Sequence, residues 1–224
     1  MNIAASRRRA FSLIELIIVI SVIVIIAAFT MPAMNTILRG SNMTQASGLI
    51  VGQLSIARQQ ALSRNRPVEV RFYRFADPET PGETVADPST GQFRAMQLFE
   101  VQQSGVALPI DKMQRLPGGV IFAYAPGTGL SSLIDKGTAG APTQASADQT
   151  APRLPRGVDM NYEYVSFRFQ QDGSTNKNPT GKWFITLISI NDKLAASDKP
   201  PPNFFTVQID PVSGVTKTYR PTAG

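Results

Sequence analysis

Hydrophobic positions along this chain change spacing twice. From Phe11 to Met31 nearly every residue is apolar, and only Ser12, Glu15, Ser21 and Thr30 break the run. Built as a helix, those 21 residues would span about 31 Å, the thickness of a bilayer's hydrocarbon core. From Met43 the apolar positions thin to one stripe: Met43, Ala46, Ile50, Leu54, Ala57 and Ala61 recur at steps of three and four. The stripe predicts a helix to about Asn65, although Gly40, Gly48 and Gly52 each weaken it by up to about 1 kcal/mol. Pro67 ends the helix, because the residue before a proline avoids helical angles. Inside it, Pro32 removes the hydrogen bond to the Ala28 carbonyl and predicts a kink where the apolar run stops.

After Pro67 the period falls to two. Val68, Val70 and Phe72 share one face of a first strand. Gln92 to Val101 reads as a second strand with poorer alternation, Val120 to Tyr124 as a third, and Tyr164 to Phe169 as a fourth with Val165, Phe167 and Phe169 inward. Trp183 to Ile190 is apolar on both faces, as a central strand would be. Phe204 to Ile209 and Val215 to Arg220 form a hairpin across the Asp210–Gly214 turn. Between Ala125 and Asn161 there is no aromatic residue, and the run AGAPTQASADQTAP is small and polar. That composition predicts a flexible surface insertion.

One long helix followed by antiparallel strands is α+β. The expected divisions are a basic leader at 1–10, a transmembrane helix at 11–31, its amphipathic continuation at 32–66, and a β domain at 67–224 with the insertion at about 125–161. The amphipathic half has one apolar face, and that face needs a sheet to cover it.

Charge changes the picture only near the start. The formal charge is +6, but Arg7, Arg8 and Arg9 supply three of those charges, leaving 19 basic and 16 acidic residues beyond them. A net +3 is a weak argument for a polyanion partner. Three arginines before the apolar run and only Arg39 soon after it predict a cytoplasmic N-terminus, with the rest across the membrane. The chain has no cysteine and no histidine, which removes disulfides, thiolate nucleophiles and the usual catalytic pairings. Glu15 fits no plain anchor, since an uncompensated charge near a membrane span costs roughly 2.5–3.5 kcal/mol or more.

The basic leader, the small residue Ala10, and Phe11-Ser12-Leu13-Ile14-Glu15 before an apolar helix resemble the cleavage and methylation signal of type IV prepilins and pseudopilins. The resemblance implies that a prepilin peptidase cuts between Ala10 and Phe11 and that Phe11 is N-methylated. It also implies that Glu15, fifth in the mature chain, pairs with the terminal amine of a neighbouring subunit. The family usually has Gly where Ala10 stands. Ala57-Arg58, Ala61, Arg64-Asn65 and Pro67-Val68 are similar to the end of the first helix in minor pseudopilins of the GspH/FimT type. Phe167-Arg-Phe-Gln-Gln-Asp172-Gly173-Ser174 and the Asp210–Gly214 turn resemble that family's late strands and turns. The chain looks closer still to the prepilin-like family called Verru_Chthon cassette protein D. The resemblance does not extend to residues 76–161.

These features lead us to expect a minor pilin- or pseudopilin-like subunit and not an enzyme. It would be single-pass in the inner membrane, and its partners would be prepilin peptidase and other pilin subunits. It would take no cofactor and no metal. A secretory signal or an uncleaved anchor would explain the apolar run, but Thr30-Met31-Pro32-Ala33 is a poor signal-peptidase site and neither explains Glu15. The alternative from another class is a filament-tip DNA-binding module of the FimT kind, supported only by the net charge and by Lys217 and Arg220; DNA is the less expected partner. A singly anchored enzyme or binding domain is a third. Arg58, Arg64 and Arg66 read as solvated helix positions, with an interaction patch as the other reading. Asp172 and Asp210 read as turn residues rather than calcium ligands, since calcium takes six to eight clustered oxygens.

Overall fold

The computed structural model describes residues 12–135, 143–144, 161–192 and 200–221, and the side chains of 29–37 and 143–144 are outside that description. The chain divides into two compact units, Met1–Ser41 and Asn42–Gly224. A single α-helix, α1, runs over Leu13–Arg64 and includes Pro32, so the proline does not end it.

In the first unit α1 is apolar all round. Leu13 is 76% exposed and Ile26 57%, and the large aliphatic residues between them are similarly bare. No fold of this unit covers them. Among the described residues no helix is long and apolar enough to cross a membrane. Described side chains of the apolar run end at Ala28, about 24 Å along a helix from Leu13, whereas the expected span continues through Met31.

The second unit is built on the stripe. Met43, Ala46, Ile50, Leu54, Ala57 and Ala61 are all buried, at 1% exposure or less. The helix stops as predicted, and its cap shows how. Asn65 takes a left-handed backbone (φ 50°), and the Arg66 N–H donates back to the Ala61 carbonyl at 3.3 Å. That is a Schellman closure, with Pro67 just beyond it.

Two antiparallel sheets follow, not one. The first is ordered β3-β2-β1-β7-β6, with β4 also on β2. Its strands are β1 (Val68–Phe75), β2 (Gln92–Val101), β3 (Ala107–Pro109), β4 (Gln114–Arg115), β6 (Thr143–Gln144) and β7 (Glu163–Phe169). The second is ordered β10-β9-β8-β5, from β5 (Val120–Phe122), β8 (Trp183–Ser189), β9 (Phe205–Ile209) and β10 (Thr216–Tyr219). The division falls at Leu116-Pro117-Gly118-Gly119. There the Val120 N–H closes a turn onto the Pro117 carbonyl and Gly119 sits at φ 79°, so the chain leaves β2 and pairs with β8. The stripe of α1 shares one core with Val70, Phe72, Leu98 and Phe167 of the first sheet and Phe122, Ile185, Leu187 and Val207 of the second. Strand β2 alternates poorly because its outer face is covered too: Ala95 and Phe99 pack there with Tyr73, Phe75 and Tyr162.

The expected insertion at 125–161 needs correction at its start. Leu130, Leu133 and Ile134 are buried. The Ser131 and Ser132 hydroxyls accept the Thr186 and Phe184 N–H groups at 3.0 and 2.9 Å, and the Leu133 N–H donates to the Phe184 carbonyl. This segment completes the edge of β8 that β5 is too short to cover. Aromatic residues were the wrong criterion, since three aliphatics and two hydroxyls suffice. Thr143–Gln144 pairs with β7, and the rest of the insertion lies outside the described residues.

Two substitutions probe this core. Leu54→Ala removes a fully buried side chain and should cost about 2–5 kcal/mol by urea unfolding of the detergent-solubilised protein. Gly214→Ala should be comparably damaging, because a Cβ there would stand 2.1 Å from the Gly173 carbonyl oxygen at φ 68°.

Candidate functional site

The chemistry singled out at the N-terminus sits on the first turn of α1. Ser12 starts it, its carbonyl accepting the Leu16 N–H at 3.2 Å. Glu15 lies in that turn and is exposed. Among the described residues it makes no hydrogen bond and no ion pair. The helix N-terminus favours an anion there but supplies only part of what a buried carboxylate needs. Ser21 differs: its hydroxyl donates to the Ile17 carbonyl at 2.8 Å, so its polarity is satisfied within the helix. Among the described residues from Leu13 to Ala28, the apolar helix therefore carries one unpaired charge, a carboxylate. Ala10 and Phe11 lie outside the described residues.

The three arginines at the end of α1 are neither a free patch nor simply solvated. Arg58 Nε donates to the Ser213 carbonyl at 2.8 Å. Arg64 meets Glu100 at 2.6 Å and Arg66 reaches the same carboxylate at 3.4 Å while also bonding Gln102. They latch the helix end to β2 and to the β9–β10 turn. Glu100 was missed in the sequence; it sits on the core face of β2 opposite Val68, and only the β1–β2 register shows that.

The two late acidic residues close turns. Asp172 accepts from the Ser174 N–H and hydroxyl at 2.9 and 2.6 Å, and Asp210 accepts from the Val212 N–H and the Ser213 hydroxyl at 3.0 and 2.8 Å. These bonds hold both carboxyls below their ordinary range. Among the described residues no group of acidic side chains is arranged to hold a metal ion. Lys217 is exposed on β10, and Arg220 reaches the Thr44 hydroxyl at 3.5 Å.

Comparison with known proteins bears on the N-terminal part first. Residues 5–31 match the prokaryotic N-terminal methylation motif, which covers Ala10, Phe11 and Glu15. The N-terminal segment of the chain thus carries a prepilin-type methylation motif. No curated protein matches its sequence. Among solved structures it is similar to the minor pseudopilin EpsH of the type 2 secretion system of Vibrio cholerae. One EpsH structure has a TM-score of 0.42 and 8% identity over 81% of this chain and 99% of that one. A second has 0.42 and 9% over 84% and 99%. The type IV minor pilin FimU of Pseudomonas aeruginosa gives 0.39 and 9% over 81% and 90%. Likenesses this distant add nothing to the argument from the residues, which rests on the motif and on the helix that carries it.

Glu100 supplies a pH prediction. The Arg64 hydrogen bond, foremost, holds its carboxyl below the ordinary range. The pairing should therefore stabilise the fold above the unfolded carboxyl's pKa of about 4.3 and be lost as pH falls through the lower folded value. Arg64 is half exposed, so the whole effect should stay within about 1 kcal/mol. Glu100→Gln should lower the urea midpoint at pH 7 and flatten its decline between pH 5 and 3.

Proposed function

We propose that this protein is a membrane-anchored minor subunit of a type IV pilus- or type II secretion-like filament, of the GspH/FimT kind, with the cassette protein D family as its nearest resemblance. Prepilin peptidase cuts between Ala10 and Phe11, and Phe11 is methylated. The apolar helix holds the processed chain in the inner membrane, with the β domain on the far side. The observation that carries this reading is the bare apolar helix with Glu15 as the one charge between Leu13 and Ala28, unpaired among the described residues. An anchor needs the apolar surface but gains nothing from the carboxylate. A subunit packed among identical helices gains from both. The apolar faces cover one another, and Glu15 meets a neighbour's methylated amine in a low-dielectric bundle where a charge-assisted hydrogen bond is strong. Nothing on the chain favours DNA binding over this.

Processing gives a direct test. The intact mass of the membrane-extracted protein should begin at Phe11 and carry one added methyl; a mature N-terminus near Asn35, or a retained Met1, would contradict it.

Assembly gives the second. Removing one partner of a buried charge pair typically costs about 3–5 kcal/mol. Glu15→Leu should therefore lower incorporation by roughly two to three orders of magnitude, read as crosslinks to partner pilins beside wild type. Cleavage after Ala10 precedes assembly and should survive. If Glu15→Leu assembles as well as wild type, the carboxylate has no part in subunit pairing.

A further inference from the structure

A strand that ends a sheet carries the backbone groups the fold leaves unpaired. Among the described residues β10 is the longest such strand, four residues against three in β3 and β5 and two in β4 and β6. The Asp210 N–H donates to the Val215 carbonyl at 2.9 Å, which sets the phase of the β9–β10 ladder. Val215, Lys217 and Tyr219 therefore turn their backbone groups to β9, while Thr216 and Thr218 turn theirs to the open side. Among the described residues no strand pairs with that side. The edge is also held still. Arg58 Nε donates to the Ser213 carbonyl at 2.8 Å, and the Thr175 N–H donates to the Pro211 carbonyl at 2.8 Å. A fixed edge needs little ordering when a partner binds.

The side chains beside this edge point the same way. Seven large apolar residues of the second unit are exposed among those described, and Val212, Val215 and Tyr219 of this one hairpin are three of them. A cavity of about 480 Å³ lies along their face, lined by Gln208, Asp210, Val215, Lys217 and Tyr219 among others. Lys217 is exposed and makes no ion pair among the described residues. The Asp210 oxygens on that face are taken by the Val212 N–H and the Ser213 hydroxyl.

A small ligand would not use donors and acceptors spaced along a strand. An extended peptide would. Added antiparallel, it takes the outward groups of Thr216 and Thr218 and lays alternate side chains along Val215, Lys217 and Tyr219. Lysine on an edge ordinarily deters pairing. A carboxylate opposite Lys217 reverses that, and the position is a non-hydrogen-bonded one, where paired side chains stand closest. Apolar side chains two residues to either side would cover Val215 and Tyr219. A second β10 offers no carboxylate. From these observations we propose that the β10 edge docks an extended acidic segment of another protein, added as a further antiparallel strand with its carboxylate opposite Lys217. This goes beyond the assembly reading and does not depend on it.

The experiment titrates a capped pentapeptide, Val-Thr-Glu-Thr-Val, into the full, isotope-labelled chain in micelles. Its Glu falls opposite Lys217, its Thr residues opposite Thr216 and Thr218, and its Val residues opposite Val215 and Tyr219. Saturable shifts and slowed hydrogen exchange are expected at the Thr216 and Thr218 amides. The peptide with Lys in place of Glu should bind about tenfold more weakly. Methylating both Thr nitrogens of the peptide removes its donors to the edge and should abolish binding. Lys217→Glu should reverse the order of the Glu and Lys peptides. Thr218→Pro removes an N–H that β9 does not use, where an edge strand tolerates proline, and should prevent docking. If that variant misfolds by circular dichroism, the reversal by Lys217→Glu decides. Shifts that do not saturate, equal binding of the three peptides, an unchanged order with Lys217→Glu, or protection that rises with protein concentration alone would overturn the proposal.

Discussion

Burial of one helical stripe holds the second unit together. Met43, Ile50 and Leu54 supply bulk, while Ala46, Ala57 and Ala61 let strands approach the helix closely. Because the stripe serves both sheets, neither is complete without it. The sheets also meet directly where the Phe72 and Phe122 rings pack edge to face at 5.2 Å, and the stripe closes the core on both. With no cysteine to staple the domain, this shared apolar contact is the main term available to offset chain entropy.

Arginine works at the margins of that core. Arg71 lies between the Phe99 and Tyr164 rings at 4.1 and 4.6 Å and donates to the buried Glu69, which Arg168 also holds at 2.8 Å. Arg74 pins the 76–91 loop through the Ser89 and Gly91 carbonyls. Such buried pairs are weak contributors to stability, because desolvation offsets most of the attraction, yet breaking one leaves a stranded charge. Their effect is to fix where loops lie.

Local signals made the framework legible. The spacing of the stripe, the proline after Asn65, and the two-residue alternation of Val68, Val70 and Phe72 all depend on near neighbours, and all predict the elements found. The split into two sheets was not legible, because it depends on one turn at Gly119 redirecting a three-residue strand. Nor were β3 and β4, three and two residues long, which exist only because β2 offers them an edge. At the N-terminus the pentad through Glu15 was readable because it is contiguous. The pairing of Arg64 and Arg66 with Glu100 was not, since those residues lie 36 and 34 positions apart and only strand register joins them.

The latches on Arg58 and Arg64 hold the helix end at two places about 120° apart around its axis, one onto the β9–β10 turn and one onto β2. Together with the stripe they fix the helix in azimuth as well as in position. Each residue advances a helix by about 100°, so a single insertion between Leu54 and Arg58 would carry both guanidiniums a quarter-turn or more out of phase with their acceptors. The surface that α1 turns away from the sheets is keyed by the same phase. It is open at two points: a Cβ added at Gly48 or Gly52 would meet nothing within 4 Å. The two latches thus set the angle at which this glycine-bearing face meets solvent.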